Sequence, residues 1–174
     1  MIGMTTILLF AGGKSTRMGQ DKAMMNGGIN RFLKLYSSLG ANRIITLCGK
    51  ESRINLFEGE VWPDPKGISG PLELIKWCLT EIEDDIQLVP CDAFELLDTG
   101  AEWLLKQKNG VPIDASKQRQ PLMARISNKE LINYDATTIN GLFDRFPSLE
   151  NIDYSNQFSN FNNKSELSEN RPLV

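Results

Sequence analysis

Histidine is missing from all 174 residues. Its absence excludes a Ser-His-Asp triad, a Cys-His pair and every His-ligated metal site. Cysteine is scarce: Cys48, Cys78 and Cys91 lie far apart and no Cys-x-x-Cys occurs. An odd number of widely spaced thiols predicts a reduced chain, not a disulfide framework, zinc ribbon or redox pair. No apolar run approaches the roughly 20 residues a membrane span needs. The first ten residues lack the basic region of a signal peptide. Positive charge is not in excess either. A net charge of -3 argues against general binding to nucleic acid or to anionic membranes. The remaining composition, 41% hydrophobic and 24% charged, is ordinary globular usage. We therefore expect a cytoplasmic protein, a monomer or weak homo-oligomer. Its single domain should span residues 1–153, followed by a polar tail, rich in Asn and Ser, over residues 154–174.

What the chain does have is concentrated near its start. Ile7-Leu8-Leu9-Phe10 reads as a strand buried on both faces, and it breaks at Ala11-Gly12-Gly13. A polar loop follows with three cations, Lys14, Arg17 and Lys22. A glycine turn leaves backbone N–H groups available, and cations neutralise phosphate, so this stretch suits a nucleoside triphosphate. It is not a Walker A loop, because Leu8 stands where the first glycine belongs. It is not a dinucleotide fingerprint, because Lys14 occupies the second glycine position, which speaks against an NAD-dependent dehydrogenase. A plain strand-to-helix glycine turn with incidental charges is the competing reading.

Downstream, strands and helices alternate. Apolar positions Ile29, Phe32, Leu33, Tyr36 and Leu39 predict a helix closed by Gly40. A second strand is expected over residues 43–47, a short helical piece over 52–57 and a brief strand over 60–62. Proline in the first turn opens a helix at Gly70-Pro71, with Leu72, Ile75, Cys78, Leu79 and Ile82 as its stripe. Residues 86–89 predict a strand ending at Pro90-Cys91-Asp92. Leu97, Ala101, Leu104 and Leu105 predict a helix, and residues 110–114 and 121–126 two further strands. Ile139, Leu142, Phe143 and Phe146 predict a helix that Pro147 ends, and residues 149–153 a last strand. This alternation predicts an α/β three-layer sandwich with a mainly parallel central sheet. Ligands of such sheets lie beyond the carboxyl ends of the strands.

Three acids fall at predicted strand ends. Asp92 could hold Mg2+, which takes one or two carboxylates plus substrate phosphates; capping the next helix is its alternative role. Asp64, between two prolines, suits either ligand contact or an ordinary turn. Asp153 could supply a second metal ligand or simply open the tail. Cys91 reads as an inert thiol rather than a nucleophile, since no basic neighbour activates it.

Taken together, these residues resemble the molybdenum cofactor guanylyltransferases, within the glycosyltransferase-A-like nucleotidyltransferases. Members begin Leu-Ala-Gly-Gly-x-Ser-x-Arg-Met-Gly-x-Asp-Lys. This chain reads Phe10-Ala11-Gly12-Gly13-Lys14-Ser15-Thr16-Arg17-Met18-Gly19-Gln20-Asp21-Lys22, different only at the first position. The likeness continues through Asp64, Gly70-Pro71-Leu72, Pro90-Cys91-Asp92, Arg119-Gln120-Pro121-Leu122 and Asn151-Ile152-Asp153. It implies a Rossmann-like nucleotidyltransferase fold and a Mg2+-dependent transfer of GMP from GTP to molybdopterin, with release of pyrophosphate. By the same resemblance Phe10, Ala11, Gly12 and Gly13 would contact the nucleotide, Arg17 and Lys22 would neutralise its triphosphate, Asp64 would help hold it, and Asp92, with Asp153, would bind Mg2+. The chain departs from the family in several places. Glu73-Leu74 replaces a small Ala-Gly pair, Leu47 or Cys48 stands for an Asn, Phe94 replaces a Pro, and paired arginines are missing from the helix expected over 137–146. Use of CTP, a sugar phosphate as acceptor, or a nucleotide-binding paralogue without catalysis are the alternatives.

Overall fold

The computed structural model describes residues 4–12 and 22–159. Strand β1 (Thr5–Phe10) forms where the apolar run leads one to expect it. Helix α1 (Gly28–Ser38) follows, then strands β2 (Arg43–Gly49) and β3 (Glu60–Pro63), with a 3-10 segment over Glu51–Leu56 between them. Helix α2 (Gly70–Glu81) begins with proline in its first turn, where the missing N–H has no intrahelical partner to lose. Strand β4 (Asp85–Pro90) and helix α3 (Asp98–Leu105) complete the regular part. The remaining elements are short: β5 (Val111–Pro112), β6 (Arg125–Ile126), α4 (Ile139–Leu142) and β7 (Ser148–Leu149).

The main sheet has the order β3-β2-β1-β4-β6. Its β1·β2, β1·β4 and β2·β3 pairs are parallel, and β6 alone runs antiparallel, against β4. Alternation along the strands sends residues to two different cores. Ile7, Leu9, Cys48 and Val89 pack with Ile29, Phe32 and Tyr36 of α1 and Ala101 and Leu104 of α3. Leu8, Ile45, Leu47, Ile86 and Leu88 pack with Leu74, Ile75, Cys78 and Leu79 of α2 and Leu142 of α4. The sheet is thus the middle of three layers. Each of these aliphatic side chains contributes about 1.5–3 kcal/mol on burial. An exposed ion pair such as Arg43–Glu60 contributes about 0–1 kcal/mol. The fold is set by its two cores.

Three regions differ from the sequence expectation. The strand expected over 121–126 is a 3-10 turn, Pro121–Met123, before two residues of β6. The helix expected to reach Phe146 stops at Leu142, because tertiary donors take its carbonyls: Asn133 N–H bonds to Leu142 O, and the Arg119 guanidinium to Phe143 O and Phe146 O. The last strand is only Ser148–Leu149 and pairs with β5 in a separate two-stranded sheet, so Asp153 lies on a turn and not at a strand end. The chain after 153 does not leave the domain at once. Phe158 is fully buried beside Trp103, and Gln157 is buried at the start of α3. Residues 160–174 of the expected tail lie outside the described residues. No described helix is long and apolar enough to cross a membrane.

Candidate functional site

Strand order reverses at β1, which has β2 on one side and β4 on the other. Such a switch point opens a crevice at the carboxyl ends of the strands. Here β1 is bonded to both neighbours at its exit. Ala11 N–H donates to Leu47 O at 2.9 Å, and Phe10 O accepts from Cys91 N–H at 3.1 Å. Gly12 then passes against the end of β2. A Cβ on Gly12 would sit 2.8 Å from Gly49 Cα and 2.9 Å from Gly49 N, inside contact distance of backbone that cannot yield. Gly49 has φ 82°, a conformation that favours glycine, and the β2·β3 pairing shifts register there. Across that irregularity Asp64 N–H donates to Gly49 O at 2.7 Å.

Phe10, Ala11, Gly12, Asp64 and Asp92 therefore gather along one edge of the sheet. Asp64 follows β3 and Asp92 follows β4, with β2 and β1 between them. Three strand spacings amount to roughly 14 Å, too far for both carboxylates to ligate one Mg2+ at about 2.1 Å. The separation suits one extended ligand touching both. Asp64 keeps an exposed carboxyl, but partial desolvation among the strand ends pushes its pKa above the ordinary value. Asp92 is half-buried on the β4 exit. Asp153 is exposed, its N–H donating to Asn151 Oδ1 at 2.9 Å. Among the described residues no cluster of three or more acidic or thiol groups could hold a metal by itself. A single carboxylate fits Mg2+ only where phosphates and water complete its shell, and Asp92 offers that chemistry.

Gly13 and Arg17 lie outside the described residues. Lys22 is described through its backbone alone, at the start of the 3-10 segment Lys22–Gly27 that leads into α1. Of the departures noted in the sequence, Glu73 turns outward: its side chain is exposed and lies 3.7 Å from Lys76. Leu74, Leu47, Cys48 and Phe94 are buried. Arg119 bonds to carbonyls of Phe143 and Phe146 and to Ser148 Oγ, so its guanidinium braces the chain after α4. Burial raises the thiol of Cys48 and pushes that of Cys78 up to about 12, which keeps both protonated near neutral pH.

Two residues at the site carry no motif. Arg53 donates from Nε to Cys48 O at 2.9 Å and from a terminal nitrogen to Ala11 O at 2.7 Å. Arg31, on α1, donates to Leu96 O at 2.7 Å and Ala93 O at 3.1 Å, beyond Asp92. These acceptors are backbone carbonyls, three of the four more than 40 residues away, so no residue pattern announces them.

A mostly parallel sheet whose order reverses at β1, with Gly12 at that strand's exit and acids on the flanking exits, defines a Rossmann-like α/β fold with its switch point at these residues. Residues 7–137 match the MobA-like NTP transferase domain, and the chain belongs to that family. Two Synechococcus relatives, one of them from Synechococcus elongatus, are each named "Probable molybdenum cofactor guanylyltransferase". They are 35% identical over 94 residues, which is 49% of this chain and 48% of theirs. The chain thus spans about half the length of the curated relatives it matches. Among solved structures, a protein from Aquifex aeolicus VF5 superposes with a TM-score of 0.69 at 15% identity, over 90% of this chain and 92% of that one. A nucleotidyl transferase from a Methanothermobacter superposes with a TM-score of 0.61 at 13% identity, over 96% and 95%. Both show the same fold.

Proposed function

We propose that the chain is a nucleotidyltransferase that takes GTP as donor and the terminal phosphate of molybdopterin as acceptor. The observation that carries this is the Phe10-Ala11-Gly12 exit, held between β2 and β4 with Asp92 on the adjacent strand end. An acceptor phosphate oxygen attacks the α-phosphorus of GTP, the bond from that phosphorus to the bridging oxygen breaks, and pyrophosphate leaves with the electron pair. Such a transfer needs alignment and charge neutralisation more than a protein base, which a chain without histidine can supply. The backbone beyond Ala11 faces the phosphates, Arg17 and Lys22 offset their charge, and Asp64 touches the nucleoside side of the ligand. Asp92 would hold Mg2+, with Asp153 as a further candidate ligand. Bound Mg2+ offsets phosphate charge and favours departure of pyrophosphate.

The test is pyrophosphate release from the full chain with Mg2+, molybdopterin and each NTP in turn. Release with GTP and its loss in Asp92→Asn are the expected results. Well-folded protein that turns over no nucleotide sinks the proposal, and turnover with CTP alone, or only with a sugar phosphate, reassigns donor or acceptor. Lys22→Ala should weaken GTP far more than guanosine, because it removes a partner of phosphate and not of base.

A further inference from the structure

The chemistry above leaves Arg31 and Arg53 without a role, yet they hold the two loops that the ligand would bridge. We propose that both are positioning residues: Arg53 orients the Ala11–Gly12 peptide at the exit of β1, and Arg31 fixes the Asp92 loop leaving β4. The inference rests on the nucleotidyltransferase reading for its function, though not for its geometry.

Arg53 reaches across 42 residues to Ala11 O, the carbonyl of the Ala11–Gly12 peptide. In a trans peptide the carbonyl and the N–H point opposite ways. Fixing Ala11 O toward Arg53 therefore turns the Gly12 N–H away from it, and Gly12 is the first glycine of the sequence motif. The Nε bond to Cys48 O stops the guanidinium from following a loop movement, because the same planar group is anchored to β2. Arg31 does the corresponding work on the other side. It bonds Ala93 O, one residue past Asp92, and Leu96 O, 62 and 65 residues away in sequence. The Leu96–Leu97 peptide is held from both ends, since Leu97 N–H donates to Gln157 Oε1 at 3.0 Å. Each guanidinium also lies over a ring, Arg31 at 4.4 Å from the Phe32 centroid and Arg53 at 5.7 Å from that of Phe57. Two planar forks bonded to carbonyls thus hold the Ala11–Gly12 peptide and the Asp92 loop, each from its own side.

Lysine keeps the charge but lacks the planar fork, so Arg31→Lys and Arg53→Lys separate geometry from electrostatics. Amide hydrogen exchange on the full chain without nucleotide should rise around residue 12 in R53K and over 93–97 in R31K, each variant leaving the other segment unchanged. In pyrophosphate release, R53K should raise the KM for GTP about tenfold with kcat within about twofold, the effect of one lost charge-assisted bond. R31K should lower kcat and raise the Mg2+ needed for half-saturation by a similar factor, with the KM for GTP little changed. Unchanged exchange in either variant overturns the proposal. So does the same shift of KM and kcat in both variants, in step with lost thermal stability, because that marks arginines that only support the fold. Failure of the unsubstituted chain to turn over any NTP defeats the transferase reading alone, and the exchange pattern still decides this one.

Discussion

Gly12 and Gly49 approach so closely that neither strand exit can carry a side chain between them: a Cβ on Gly12 would stand 2.8 Å from Gly49 Cα. The contact joins the end of β1 to the end of β2 at the carboxyl edge of the sheet. Gly12→Ala must push the two exits apart. Overpacking of this kind costs about 1–3 kcal/mol, and here the strain falls on backbone with no flexible side chain to absorb it. We expect a lower denaturation midpoint together with loss of triphosphate binding in calorimetry. Binding at the unsubstituted affinity would show that the turn tolerates displacement.

A second close approach gives a prediction with a change of sign. Gln157 Oε1 accepts from Leu97 N–H and Gly100 N–H, both at 3.0 Å, and Nε2 donates to Thr99 Oγ1 at 3.0 Å. Gln157 thereby caps α3, whose own Leu97 offers no side-chain cap. Gln157→Ala should cost about 1–3 kcal/mol, since it leaves two donors without this acceptor. Gly100→Ala alone should also destabilise, because its Cβ would fall 2.3 Å from Gln157 Oε1. In the Q157A background that clash is gone, and alanine is favoured over glycine in a helix by about 0.5–1 kcal/mol. Urea melts of the four proteins should therefore show G100A neutral or stabilising in the double variant. Additive losses would refute the capping geometry.

Two carboxylates should give opposite responses to pH. Arg43 donates to both Glu60 oxygens, at 2.9 and 2.7 Å, and this bonding holds the Glu60 carboxyl below its ordinary pKa. A depressed folded-state pKa adds stability above the unfolded value and loses it as pH falls through the folded one. Both partners are more than a third exposed, so Glu60→Gln should cost no more than about 1 kcal/mol at neutral pH and nothing in acid. Asp64 is the reverse case. Desolvation raises its folded pKa, so the folded state holds the proton more tightly, and stability declines as pH rises from the unfolded to the folded value. Asp64→Asn should stabilise slightly at neutral pH while weakening nucleotide binding, a trade common at ligand sites. Thermal melts across pH 3–8 (roughly the range in which carboxyls titrate) would reveal matching slopes for the two variants if this sign is wrong.

The parallel core was legible because its signals are local. The apolar run of β1, the 3.6-residue stripes of α1 and α2 and the Pro90-Cys91-Asp92 exit each lie within a short window. Elements decided by distant partners were not. The helix at Ile139 stops early because Arg119 and Asn133 bond its later carbonyls, and the segment after Asp153 packs inward because Gln157 serves a helix 60 residues earlier. At the site, the motif residues Phe10, Ala11, Gly12, Asp64 and Asp92 stood out as types fit for chemistry. Arg31 and Arg53 did not, since their acceptors are carbonyls, and every residue has one.

The cap on α3 also imposes an order of events during synthesis. The ribosome delivers about 5–20 residues per second, so roughly 3–12 s separate the emergence of Leu97 from that of Gln157. Through that interval β1 to β4 can already pair while Leu97 N–H and Gly100 N–H have only water in place of Gln157 Oε1. The exit of β1 and its neighbouring strands can therefore assemble first, and the loop that carries Asp92 gains its final support only when Gln157 has left the tunnel.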